Sequence, residues 1–176
     1  MENDNPTQLA EEGKRAFERG QFDQAADFFR RASRGFTLGR AGQDTTAEMD
    51  NNLSVALLQG GKPQEALDAT LGTDEIFAKM GDVKRQGMAL GNQAAALEAL
   101  HRTDEALTAY ERSALLFSQA GEGDLLAMVK KSAAAIRLKR GDVVQSALNM
   151  VGSVEAKTKP SIFERILKFI VRLKPW

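Results

Sequence analysis

A repeat of about forty residues constrains this chain more than anything else in it. Phe36, Phe77 and Phe117 stand 41 and 40 positions apart, and so do Ala25, Ala66 and Ala106. Gly20 and Gly61 belong to a series continued by His101 and Gly141, at spacings of 41, 40 and 40. Gly42, Gly81 and Gly121 form another, spaced by 39 and 40. Four series sharing one period imply similar units stacked in a row, each burying a face its neighbour covers.

Within each period the apolar residues recur at helical spacing and glycine interrupts them twice, so each unit is expected to be two helices. First helices are expected near 7–19, 44–59, 83–99 and 123–140, and second helices near 22–39, 63–80, 103–120 and 143–156. Pro63 suits a first helical turn, which does not use its missing N–H. Thr103 and Asp104 are expected helix caps. Ala25, Ala66 and Ala106 fall early in the second helices, where a larger side chain would push the pair apart. Phe29, Tyr110 and the Phe36, Phe77, Phe117 series are expected to fill the seams between units.

The stretches GKRAFERGQFDQAADFFRRA (13–32) and NQAAALEALHRTDEALTAYERSA (92–114) resemble tetratricopeptide repeats (TPR). Both run small residue, aromatic or leucine, turn, D-x-A or D-E-A-L, then an aromatic and a small residue. NNLSVALLQGGKPQEALDAT (51–70) matches through Gly61 and Glu65-Ala66-Leu67 but has Thr70 where an aromatic is usual. AAAIRLKRGDVVQSALNM (133–150) is degenerate, as end repeats often are. The long period is similar to the extended form in kinesin light chains and spindle-orienting adaptors. The resemblance implies an all-α, right-handed superhelical solenoid of about four antiparallel helix pairs with a C-terminal amphipathic helix. The expected organisation is a disordered 1–6, a solenoid over 7–156 with repeats near 7–42, 44–81, 83–121 and 123–156, and a basic helix over 160–176.

Nothing in the residues points to an enzyme. There is no cysteine and a single histidine, His101, which falls in a turn. That removes thiolate chemistry and leaves no set of zinc ligands or catalytic triad. No G-x-x-x-x-G-K-[ST] phosphate loop occurs, and no cofactor is expected. Net charge is zero but unevenly spread: residues 157–176 carry six Lys/Arg against one Glu, leaving the body at −5. An acidic body argues against nucleic acid as a partner. The polar start MENDNPTQLAEEG lacks the pattern of a secretory signal, and the absence of cysteine suits a cytoplasmic protein.

A stack of helix pairs offers a groove lined by its first helices. Asn52 and Asn92 lie 40 apart at equivalent places in two of them, with Asn51 beside the former. A side-chain amide both donates and accepts, so a row of them can pair with any peptide backbone. In the long-repeat adaptors that the chain resembles, an asparagine ladder binds peptides in this way. The alternative is that these amides fix helix packing. By register Lys14, Glu48, Val55, Gln59, Met88, Lys131 and Lys139 share the face. Lys14 and Lys131 are candidates to meet an acidic peptide or terminal carboxylate, and Met88 and Met128 to offer an adaptable apolar surface. The expected function is a non-catalytic scaffold or adaptor binding a protein or peptide segment.

Pro160 and Ser161 mark a last helix start. Phe163, Ile166, Leu167, Phe169, Ile170 and Leu173 fall on one broad arc, with Glu164, Arg165, Lys168 and Arg172 opposite and Trp176 at the end. Three roles compete: a cap on the fourth unit, a contact with an anionic membrane surface, or a seam with a second copy or partner. The membrane role defines the alternative function, a peripheral membrane assembly factor.

Overall fold

In the computed structural model, which describes residues 5–39, 42–139 and 141, every regular element is a helix. Asn5 opens the first by accepting the Thr7 amide at 3.0 Å, so α1 starts at Pro6, inside the segment expected to be disordered. The order continues through α2 (Phe22–Leu38), α3 (Gln43–Gln59), α4 (Pro63–Thr70), α5 (Thr73–Lys79), α6 (Val83–Ala99), α7 (Thr103–Gln119) and α8 (Gly123–Lys139), after α1 (Pro6–Glu18). The molecule divides into two compact units, residues 1–133 and 134–176, and the packing described here lies in the first.

Helices pack in a row, mostly each on the next in sequence. α1 lies on α2, α2 on α3, α3 on both α4 and α5, these on α6, and α6 on α7. α3 also touches α6 directly, so the first helices of the second and third repeats stand side by side. Ion pairs link the second helices of successive repeats: Asp23 to Lys62 at 2.7 Å, Arg30 to Glu65 at 3.3 Å and Asp74 to Arg112 at 3.7 Å. They are mostly exposed, so register comes mainly from packing beneath them.

That packing explains the periodic residues. Ala25, Ala66 and Ala106 are fully buried, and Phe77 and Phe117 are at most 1% exposed, while Phe36 is half-buried. A Cβ added to Gly13 would sit 2.8 Å from the Phe29 ring, and one added to Gly87 2.9 Å from Phe117. Large rings on second helices thus press directly on first-helix backbone. Ser113 fixes another crossing by donating its hydroxyl to the Gly87 carbonyl at 2.7 Å.

The turn series has a backbone cause. Gly20, Gly61 and Gly141 adopt φ of +72°, +76° and +76°, and His101 adopts +59° in the same place. The left-handed region penalises a side chain with a Cβ by about 1–2 kcal/mol. Part of that cost is recovered because glycine is more flexible when unfolded. His101→Gly is therefore expected to stabilise the chain by about 0.5–1 kcal/mol, read as a higher urea midpoint with an unchanged slope.

Two local expectations are corrected. Thr103 does not cap α7: it is the first helical residue, Arg102 precedes it as N-cap, and no side chain fills the capping role. Asp82 is a true cap, accepting the Arg85 amide at 2.9 Å. More consequential is the second repeat, where the helix expected over 63–80 is two helices. Leu71 turns extended and Gly72 takes φ +77° between α4 and α5. The equivalent places in α2 and α7 hold Arg31 and Arg112. Thr70 replaces the aromatic ring found at Phe29 and Tyr110, and turns its hydroxyl onto the Leu67 carbonyl at 2.7 Å. Across the pair the register places Ser54 where the sister helices have Gly13 and Ala94; its buried hydroxyl has no partner among the described residues. A seam that elsewhere packs a ring against a small residue is polar here.

Candidate interaction groove

Residues three or four apart share one edge of a helix. Lys14 and Phe17 on α1, Asn52 and Val55 on α3, and Met88 and Asn92 on α6 are such pairs, and Lys14 with Val55, Asn52 with Asn92 and Glu48 with Met88 lie one period apart. Their neighbours Leu53, Ala56, Leu57, Leu90 and Ala94 turn inward and are buried, which leaves these edges open to solvent.

The edges line three adjoining pockets. The first, about 240 Å³, is bounded by Lys14, Phe17, Glu18, Phe29, Asn52 and Val55. The central one, about 430 Å³, is bounded by Glu48, Asn51, Asn52, Val55, Phe77, Arg85, Met88 and Asn92. The third, about 240 Å³, runs from Met88 and Asn92 past Ala95 and Tyr110 to Leu125, Met128 and Ser132 on α8. Asn52 and Val55 border both the first and the central pocket, and Met88 and Asn92 both the central and the third. The result is a trough from α1 to α8 with mostly apolar walls.

Its polar groups are of two kinds. Asn52 and Asn92 are half-buried, and neither amide has a hydrogen-bond partner among the described residues. Asn51 differs: it is buried, and its carbonyl accepts a long 3.4 Å hydrogen bond from Thr73 that ties α3 to α5. The ladder stops at two rungs because its outer places are occupied. Glu11 holds Lys14 at 2.8 Å, and Ser132 donates to the Tyr110 hydroxyl. That hydroxyl in turn donates to Glu98 at 3.0 Å, and burial pushes its pKa up to about 12.

Most of the charged groups are engaged with one another. The Glu11 hydrogen bond raises the Lys14 ammonium above its usual range and lowers its own carboxyl. Arg85 sits 5.0 Å above the Phe77 ring and reaches Asp82 at 2.6 Å, Glu48 at 3.5 Å and Asp44 at 3.9 Å. The Arg85 backbone amide and side chain hold Asp82 below the ordinary carboxylate range.

Glu48, Asn51, Asn52, Val55, Met88 and Asn92 thus come together as the register implies, and Lys14 stands at the rim of the first pocket. Met128 borders the third pocket; Lys131 is exposed on α8, and neither it nor Gln59 borders these pockets. Sequence reasoning missed Phe17, Glu18, Phe77 and Arg85 as groove residues. Arg85 had one usable signal, its place three residues after the capping Asp82, which turns the guanidinium back across the helix start. Phe163, Ile166, Leu167, Phe169, Ile170, Leu173 and Trp176, with the expected helices over 143–156 and 160–176, lie outside the described residues. Among the described residues no helix is long and apolar enough to cross a membrane.

No protein-family model matches the chain, and no curated protein matches its sequence. Among solved structures it is similar to a Podosopora anserina chain described as a kinesin light chain with nearly identical TPR-like repeats. The match has a TM-score of 0.69 at 18% identity and covers 97% of this chain and 86% of the other. The fold is therefore a TPR-like, all-α solenoid.

Proposed function

We propose that this chain is a non-catalytic protein-interaction scaffold that takes an extended segment of a partner into the trough along α1, α3, α6 and α8. The observation that carries the reading is the pair of half-buried, unpartnered amides of Asn52 and Asn92 on either side of the central pocket. A group held out of bulk water without a partner costs stability, and an extended backbone supplies the missing donors and acceptors. Val55 and Met88 between them take an apolar side chain, and methionine adapts to more than one shape. The TPR-like fold supports the reading at the level of protein partners in general.

The test is capture of displayed random heptapeptides by the full chain and by a chain carrying Asn52→Ala and Asn92→Ala. The double variant is expected to lose capture by tenfold or more while its unfolding free energy moves by less than about 0.5 kcal/mol. A large stability loss with capture retained would instead assign both amides to helix packing.

A further inference from the structure

We infer that the segment held in the central pocket carries a basic side chain, a lysine or arginine, beside the apolar residue that fills the space between Val55 and Met88. The inference rests on the groove reading above and specifies the chemistry of its occupant.

The argument is charge complementarity. The central pocket has one cation, Arg85, surrounded by Asp44, Glu48 and Asp82, so the cluster carries three negative charges against one positive. Arg85 is oriented for its own carboxylates rather than for a ligand: Asp82 takes its Nε at 2.6 Å, and the guanidinium lies over Phe77. Glu48 stands farther off at 3.5 Å and keeps nearly half of its side chain in solvent. It is the pocket-lining carboxylate with capacity left for a ligand.

The neighbouring pockets do not reverse this sign. In the first, Lys14 is matched by Glu11 at 2.8 Å and Glu18 adds another carboxylate. The third is bordered by no charged residue. An acidic segment, the partner that Lys14 and Lys131 suggested from sequence, would face Lys14 and Arg85, both already paired, and a surplus of carboxylates. A basic side chain placed beside Glu48 would share its charge while the asparagines hold the adjoining backbone. Complementary charge of this kind selects among partners and speeds encounter more than it adds affinity.

Selecting displayed random heptapeptides on the full chain tests this. The enriched sequences are expected to carry Lys or Arg at one position next to an apolar residue. Their affinity is expected to fall roughly threefold with Glu48→Gln and tenfold or more with Glu48→Lys, with far-ultraviolet circular dichroism unchanged. Enrichment of acidic or uncharged sequences that still requires Asn52 and Asn92 would overturn the basic occupant and leave the groove standing. Enrichment no greater than on the Asn52→Ala, Asn92→Ala chain would overturn both.

Discussion

Phe77→Ala is expected to cost about 3–5 kcal/mol, measured as a lower urea midpoint. The ring is fully buried between Ala47 of α3 and Ala89 of α6, with Ile76 against the same cluster. The two alanines are too small to collapse into the space a missing ring leaves. Phe77 also belongs to α5, a helix of seven residues whose other buried residue is the small Thr73. The same substitution removes the surface on which Arg85 rests at 5.0 Å, so the central pocket is expected to lose peptide capture as well. Phe77→Leu separates the two effects: it restores most of the buried volume, at a cost below about 2 kcal/mol, but not the aromatic face. Full peptide affinity in that variant would show that the ring shapes the pocket only by filling the core.

The second large effect is a gain. Asp50 of α3 is half-buried where the sister helices α1 and α6 place Leu9 and Leu90. Its carboxylate accepts the Ser33 hydroxyl at 2.7 Å, yet burial outweighs that bond and pushes its pKa above the ordinary 3.8. A raised folded value means the fold prefers the protonated acid. The charged form therefore destabilises the chain at neutral pH, and the penalty lifts as pH falls through the raised value toward 3.8. Replacing both partners, Asp50→Leu with Ser33→Ala, is expected to stabilise the chain by about 1–3 kcal/mol at pH 7, because neither polar group is left alone. The gain over the unsubstituted chain is expected to shrink as pH falls through the raised value toward 3.8, where the acid takes up its proton. Carboxylates such as Glu11 and Asp82, whose pKa values are lowered, shift both chains alike and cancel in the difference. A gain independent of pH would trace the effect to packing volume alone.

The architecture was legible in sequence because its cause is periodic. Side chains 40 apart meet equivalent surroundings, so Phe77 and Phe117, or the left-handed turns at Gly61 and His101, announce themselves by recurrence. The groove was legible for the same reason wherever it recurs: Asn52 with Asn92, Glu48 with Met88, and Lys14 with Val55 stand one period apart and share its walls. What recurrence could not give was the exceptional. Thr70 was visible as a departure, but the break after it depends on Gly72 and on Thr73 bonding back to Asn51, a contact between helices 22 residues apart. Asn51 and Asn52 are adjacent and identical in kind, and only the helix pairing decides that one is tied down and the other open. Arg85 reads as a solvated surface charge until Phe77 and the acidic start of α3 are seen around it.

The interruption between Leu71 and Gly72 has a mechanical meaning. In a linear array each unit is coupled only to its nearest neighbours, so cooperativity extends as far as the weakest link. Here the link with a broken helix, an unsatisfied Ser54 and a penalised Asp50 lies in the interior of the row rather than at an end. Fraying need not start from the termini, and the row can yield at its waist, next to the wall of the trough where a guest would sit. A bound segment spanning that wall would act as a splint.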